Sequence, residues 1–175
     1  MIKKHGIKSN SSGESATKVR SIKANGKATE KTVAYLLRQA YATQVEILRL
    51  PDKYDTGRHE DTRPSDFVVI LNPTNHGLVG VSNTFYVEAK ETGADKNTWS
   101  LLSTFRNGQL QAMIRANKLN IPYFVVFHYL HNKKIYLVPS TVILDLYMNG
   151  KKSISKDVIA QYPWDDGRLY NYFRK

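Results

Sequence analysis

The fold of this chain is decided by two runs of sequence, Arg63-Pro64-Ser65-Asp66-Phe67-Val68-Val69-Ile70-Leu71 and Thr84-Phe85-Tyr86-Val87-Glu88-Ala89-Lys90-Glu91-Thr92. Both runs are rich in β-branched and aromatic residues, which favour strands. The connection between them, Asn72 to Asn83, is rich in Gly and Asn. The sequence therefore predicts a β-hairpin with a long loop.

Three charged residues belong to this hairpin. Asp66 immediately precedes the first strand, whereas Glu88 and Lys90 are two residues apart on the second and so leave the same face. Two carboxylates and an ammonium group at one end of an apolar hairpin are costly to hold together unless a cation binds the carboxylates. Oxygen ligands suit Mg²⁺, and Lys90 would then orient or deprotonate a water beside the metal. The alternative is an edge strand with a solvated charged face and a turn that starts at Asp66.

Length and composition narrow the class of protein. With 175 residues, 41% of them hydrophobic, the chain is expected to form one domain with a real core. It contains no cysteine, which excludes disulfides and Cys-ligated zinc and is compatible with a reducing cytosol. Neither a secretory signal nor a membrane span is recognisable, so a cytoplasmic protein is expected.

The net charge of +11 points to a polyanionic partner, with nucleic acid the first candidate. Residues 1–28 hold seven basic residues against one acid, Glu14, which gives +6 (7 − 1). They are poor in large apolar residues. We therefore expect a flexible basic arm that contacts DNA phosphates, the alternative being a tail that only increases solubility.

Periodicity assigns the other elements. The sequence predicts helices from Thr29, as N-cap, to about Ala42, from Gly108 to Leu119 and from Ser140 to Tyr147, and strands over 44–50, 123–129 and 135–138. A short helical turn is expected within the connection from Asp95 to Asn107. The order is typical of a mixed α/β (α+β) fold with an antiparallel hairpin at its centre, in a single domain over residues 29–175.

One pattern in the chain resembles the signature of the PD-(D/E)XK nuclease superfamily. In it, Asp66 follows Pro64-Ser65, and Glu88-Ala89-Lys90 comes after a gap. Four runs narrow the resemblance to the RecU-type Holliday junction resolvases: Gly26-Lys27-Ala28-Thr29-Glu30, Glu88-Ala89-Lys90-Glu91-Thr92, Phe105-Arg106-Asn107-Gly108-Gln109-Leu110 and Gly150-Lys151-Lys152-Ser153-Ile154-Ser155-Lys156-Asp157. They occur in the family's order and span most of the chain. The resemblance implies a restriction-endonuclease-like core with a central mixed sheet flanked by helices.

The same resemblance implies roles for individual residues. Asp66, Glu88 and the backbone carbonyl of Ala89 would bind Mg²⁺, for which Mn²⁺ would substitute. Lys90 would position water or stabilise charge, Glu30 would reach the site from the first helix, and Gln109 would support it from the second. One metal ion or two stays open.

The resemblance also implies a homodimer that resolves four-way DNA junctions by paired symmetric nicks. The residues expected to contact DNA are basic: Lys3, Lys4, Lys8, Lys18, Arg20, Lys23, Lys27, Arg58 and Arg63. The family also associates with a recombinase, but no residue identified in this chain supports that association. The resemblance fits a phage protein as well as a bacterial one. The alternatives are another endonuclease of the superfamily, specific for duplex or sequence, and a DNA-binding module without catalysis.

Two segments depart from the family. Pro51 to Pro64, where the family has a basic stalk, is short and carries four acids against three Lys/Arg residues and one His. The Asn72 to Asn83 loop is longer than in the family. We expect both segments at the end of the sheet where Asp66 lies.

Overall fold

The strand runs predicted from the sequence form the centre of the structure. The computed structural model describes residues 12–41, 45–51, 63–71 and 83–164, with only the backbone of residues 12–25. The helices are α1 (Ser12–Tyr41), α2 (Leu101–Thr104), α3 (Asn107–Lys118), α4 (Ser140–Met148) and α5 (Lys156–Ala160). The strands are β1 (Val45–Arg49), β2 (Phe67–Leu71), β3 (Thr84–Thr92), β4 (Thr98–Ser100), β5 (Tyr123–Tyr129), β6 (Lys134–Pro139) and β7 (Ser153–Ser155).

Five strands form the central sheet, in the order β1-β2-β3-β5-β6. The predicted hairpin is confirmed, because β2 and β3 pair antiparallel with Phe67 opposite Val87. β3 and β5 pair in parallel, with α3 in the crossover between them, and the remaining pairs are antiparallel. The sheet is therefore mixed, as predicted. β4 and β7 form a separate two-stranded sheet.

Alternation along β3 divides the core into two layers. Phe85 and Val87 face α1 and pack in one apolar cluster with Val33 and Leu37. The opposite face of the sheet packs against α3 and α4 in a second cluster centred on Phe127. Because β5 is covered on both faces, its residues are buried except for the partly exposed His128. Glu88 and Lys90 have the parity of Tyr86 and so point toward α3.

The start of α1 corrects the sequence analysis. The helix begins at Ser12, so Thr29 is an interior residue and the prediction that it is the N-cap is wrong. Its side chain is 2% exposed, and its hydroxyl lies 2.9 Å from Nδ1 of His128. The structure also makes residues 12–28 of the predicted flexible arm helical, while residues 1–11 lie outside the described residues. A helix already docked by its second half can propagate into a segment that is poor in large apolar residues, because each added residue gains a hydrogen bond without a new nucleus.

Two short strands were not predicted from the sequence. The connection from Asp95 to Asn107 contains β4 as well as the expected helical turn, and the run from Gly150 to Asp157 contains β7, where buried Ile154 pairs with Trp99. Three-residue strands carry too little alternation to be recognised. The 72–83 connection lies almost entirely outside the described residues, but it leaves Leu71 and returns to Thr84 at the end of the hairpin opposite Asp66, so its two attachment points are not at the end where the sequence analysis expected the loop.

Candidate functional site

Asp66 and Glu88 meet where β2 begins beside β3. The last pair of the β2–β3 ladder is Phe67 with Val87, so Asp66 lies just beyond it, next to the backbone of Ala89. The Ala89 N–H donates to Oδ2 of Asp66 over 2.8 Å. Since the N–H and C=O of a strand residue leave the same edge, the Ala89 carbonyl is directed to the Asp66 side as well. The three oxygen donors expected from the sequence are thus neighbours.

Glu88 is almost completely buried, with 1% of its surface exposed. Its Oε1 accepts hydrogen bonds from Lys90 Nζ, over 2.7 Å, and from Gln109 Nε2. Its Oε2 is buried and has no hydrogen-bonding partner among the described residues. An unpaired buried carboxylate oxygen is costly, which is the cost that a bound cation would remove.

Gln109 is oriented by the start of α3. Its Oε1 accepts from the backbone N–H of Arg106 over 3.1 Å, which is half of a capping box, and from Lys90 Nζ over 3.2 Å. With Oε1 fixed in this way, the amide NH₂ faces Glu88. Lys90 Nζ also lies 5.5 Å from the centroid of the buried Phe105 ring. One helix terminus therefore positions both the carboxylate and the ammonium group.

The other two predicted acids each pair with an arginine. Oδ1 of Asp66 lies 3.1 Å from the guanidinium Nη2 of Arg63, and this pair is largely shielded from solvent. Oε2 of Glu30 accepts from Nε of Arg49 over 2.6 Å in a more exposed pair. Glu30 lines the same cavity as Asp66 and Glu88, so α1 places it where the family resemblance implies a carboxylate.

The cavity has a volume of about 310 Å³. Besides the predicted residues it is lined by side chains that the sequence analysis missed, among them Glu91, Ser103, Thr104 and Arg106. Neighbouring residues of a strand point to opposite faces, so Glu91 would be expected on the face away from Glu88. Because β2 pairs only as far as Val87, the end of β3 is uncovered at that edge, and Glu91 lines the cavity too. The stopping point of β2 is not visible in the sequence of β3.

Burial dominates the electrostatics of the site. It raises the pKa of Glu88 to about 7, with Lys90 lowering it in part and Asp66 raising it further. Burial also raises the pKa of Asp66, against the hydrogen bond from Ala89 and the charges of Arg63 and Lys90. Both carboxylates therefore favour a proton or a cation over being left ionised and unpaired.

The donor set is composed of oxygen atoms: two carboxylates and one backbone carbonyl. The described part of the chain holds no group of three or more His, Cys, Asp or Glu side chains arranged for a metal ion. A hard cation that keeps several waters, as Mg²⁺ does, fits two carboxylates. The orphaned Oε2 of Glu88 is the observation that favours it.

The predicted DNA contacts are only partly described. Lys27 is exposed near the start of the described side chains, and Arg63 is engaged with Asp66. Lys18, Arg20 and Lys23 lie in α1 at positions whose side chains are not described. Lys3, Lys4, Lys8 and Arg58 lie outside the described residues.

Fold and site together define a restriction-endonuclease-like α+β domain in which two buried carboxylates and a lysine share one cavity. The fold is similar to that of Hjc from Archaeoglobus fulgidus, a Holliday junction resolvase from an archaeal hyperthermophile, with a TM-score of 0.54 and 14% sequence identity. The similarity covers 83% of this chain and 99% of that one. The similarity shows a shared fold and does not support the RecU resemblance in particular.

No family model and no curated protein sequence matches the chain. Within the described residues, every helix is too short or too polar to cross a membrane.

Proposed function

We propose that this protein is a magnesium-dependent endonuclease that resolves four-way DNA junctions. The observation that supports it most directly is the unpaired Oε2 of Glu88, buried beside Asp66 in a cavity that also holds Lys90. A DNA-binding module needs no such group, because a buried carboxylate repels phosphate unless a cation lies between them. The similarity to a resolvase fold and the net charge of +11 support DNA as the substrate.

The chemistry follows from the residues of the cavity. Asp66, Glu88 and the carbonyl of Ala89 would hold the dication, with Mn²⁺ able to replace Mg²⁺. When bound, the dication lowers the pKa of its water and polarises a phosphoryl oxygen. Lys90 contributes a positive charge where negative charge builds on the phosphate, or holds the attacking water. Gln109 fixes Glu88 and Lys90 relative to one another, and Glu30 adds a carboxylate from α1.

Resolution of a junction needs two nicks on strands of like polarity. Two equivalent sites related by a two-fold axis supply them most simply, so we infer that the active form is a homodimer. Branched DNA and a second copy of the chain are therefore the proposed partners, and the cytoplasm is the proposed location.

The deciding experiment compares a labelled four-way junction with a linear duplex of the same sequence, each with and without Mg²⁺. We expect magnesium-dependent cleavage of the junction and much slower cleavage of the duplex. Asp66→Asn and Glu88→Gln should each abolish cleavage while leaving DNA binding intact or tighter. The matched control is Asp95→Asn, which removes an acid that pairs with Lys156 outside the cavity and should cut normally.

Other outcomes select the alternatives. Equal cleavage of duplex and junction would indicate an endonuclease that is not a resolvase. Tight DNA binding with no metal-dependent cleavage would indicate a binding module. Near-normal cleavage by Asp66→Asn or Glu88→Gln would place the reaction at another site.

A further inference from the structure

Three carboxylates of the cavity each have a cation of their own. Asp66 pairs with Arg63, Glu88 with Lys90, and Glu30 with Arg49, at 3.1, 2.7 and 2.6 Å respectively. Lys90 is also held by Gln109, and the Arg49 pair is comparatively exposed. Arg63 is different, because its contact with Asp66 is largely buried and its hydrogen bond to the Leu50 carbonyl is long at 3.4 Å.

When Arg49 is counted with the charged residues that line the cavity, their formal charges balance without a metal. Among the described residues, the acids that line it are Glu30, Asp66, Glu88 and Glu91, and the bases are Arg63, Lys90 and Arg106, with Arg49 the partner of Glu30. Four negative charges thus meet four positive ones. A dication adds two positive charges, which a phosphodiester and a hydroxide would neutralise. The charge count favours joint binding of metal and DNA over binding of either alone.

Both oxygens of Asp66 are already engaged. Oδ2 accepts from Ala89 N–H and Oδ1 faces Arg63. The Ala89 bond is part of the backbone, so the guanidinium is the partner that can be displaced when a dication binds the carboxylate. A guanidinium offers two parallel N–H donors that match a phosphate as well as a carboxylate.

We propose that Arg63 is the resident counterion of Asp66 and exchanges this carboxylate for a DNA phosphate when the divalent cation binds. The proposal rests on the proposed function and adds to it a residue that couples metal to substrate. In the absence of DNA, Arg63 competes with the dication and keeps its affinity low. Phosphate removes that competition, and by linkage the dication strengthens DNA binding by the same factor.

The test measures binding rather than turnover. Ca²⁺, which also takes oxygen ligands, is titrated by calorimetry into the full-length protein with and without a four-way junction. The wild-type protein should bind Ca²⁺ at least about fivefold more tightly when the junction is present. Without DNA, the Arg63→Gln variant should bind Ca²⁺ more tightly than wild type does. The factor by which the junction tightens its Ca²⁺ binding should fall toward one.

Two further variants make the result specific. Arg63→Lys keeps a positive charge beside Asp66 but lacks the paired donors, so its DNA-free affinity should stay near wild type while the gain from DNA falls. Lys156→Gln removes one positive charge outside the cavity and should change neither quantity. Arg63→Lys therefore tests the exchange even if Arg63→Gln does not fold.

The outcomes separate the two levels of inference. If wild-type protein binds no dication, or binds it equally well after Asp66→Asn, the proposed function fails and the exchange fails with it. Suppose instead that wild type binds the dication at Asp66, and that both Arg63 variants match wild type in Ca²⁺ affinity without DNA and in the factor by which DNA raises that affinity. Only the exchange is then overturned.

Discussion

At the scale of single residues, the buried carboxylate of Glu88 is electrostatically unfavourable for the folded protein. Its carboxylate is shielded from water, and Lys90 and Gln109 both contact the same oxygen. The second oxygen has no partner among the described residues. A protein selected only for stability would replace this group by an apolar one, so a function that needs the charge is the simplest reason for it.

The first prediction concerns the pH dependence of stability without metal. Glu88 has a pKa of about 7 in the folded protein and 4.5 when exposed, so between these values the folded state binds the extra proton. The free energy of unfolding should therefore fall as pH rises from 4.5 to 7, by about 3 kcal/mol, and stay low above 7. Burial of Asp66 acts in the same direction. Urea unfolding in a metal chelator at several pH values measures the fall.

Glu88→Gln should remove most of this fall and make the metal-free protein more stable than wild type at pH 8. Asp95→Asn is the control, because that exposed acid has its pKa lowered by Lys156 and its loss should leave the fall in place. Added Mg²⁺ should raise the free energy of unfolding of wild type at pH 8 but leave that of Glu88→Gln unchanged. A flat profile for wild type would contradict the buried, ionisable state of Glu88.

A second prediction concerns Lys90. Lys90→Ala should slow cleavage by at least about 100-fold, since a positive charge or proton-transfer group is lost beside the reacting phosphate. The variant also removes the charge that lowers the pKa of Glu88, so its residual activity should need a higher pH. Lys96→Ala is the matched control, because Lys96 likewise lies over an aromatic ring, that of Trp99, but outside the cavity. Equal rates for the two variants would show that Lys90 has no catalytic part.

At the scale of elements, the start of α3 links folding to the site. Gln109→Ala removes a side chain that caps the helix and contacts both Glu88 and Lys90. We expect a loss of about 1–2 kcal/mol in the free energy of unfolding and a large loss of cleavage. Ser155→Ala removes the side-chain cap of α5 and should cost a similar stability without affecting cleavage. If both variants lose cleavage equally, the effect of Gln109 is one of stability alone.

The elements also show what the sequence could predict. The hairpin, β5 and α3 were predictable because their periodic runs are long enough for alternation or helical spacing to be unambiguous. The start of α1 was not, because its first half has only two large apolar residues, Val19 and Ile22, and depends on the docked second half. Asp66, Glu88 and Lys90 could be grouped from strand parity and spacing. The arginines that pair with Asp66 and Glu30 could not be assigned, because Arg49 reaches Glu30 only through the packing of β1 on α1.

At the scale of the whole molecule, the excess of positive charge lies mainly at the N-terminus. Deleting residues 1–25 should weaken binding to all DNA shapes and reduce the dependence of affinity on salt, because fewer counterions are released. The core should persist, since Val33, Leu37 and Tyr41 of α1 lie beyond the deletion. Binding measured at several salt concentrations checks this, with Lys→Gln changes at 3, 4, 8, 18 and 23 as a version that keeps the length. An unchanged salt slope would leave the segment as a solubilising tail.

The last prediction uses the position of the two long connections. The 51–64 connection joins the end of β1 to Asp66 and is therefore attached beside the cavity, whereas the 72–83 connection is attached at the opposite end of the hairpin. Junction preference requires that DNA arms next to the cleaved phosphate be distinguished from a straight duplex, so we expect the connection attached beside the cavity to contribute. Shortening 51–64 should therefore lower the ratio of junction to duplex cleavage, while duplex cleavage continues. Shortening 72–83 by the same number of residues is the matched control and should leave that ratio unchanged.

Mapping the cut positions on both strands completes this prediction. A homodimer with two equivalent cavities should nick two strands of like polarity at symmetric positions, because the phosphates must reach two sites at a fixed separation. The resemblance to RecU-type resolvases implies that each cut leaves a 5′-phosphate. Shortening 51–64 should spread the cut positions or separate the two nicks in time, while cleavage still depends on Asp66 and Glu88. Adding Asp66→Asn to the shortened variant should therefore abolish cleavage. If the 72–83 variant lost junction preference instead, recognition would have to come from the far end of the hairpin. The two-site geometry inferred from the Asp66 end of the sheet would then be wrong.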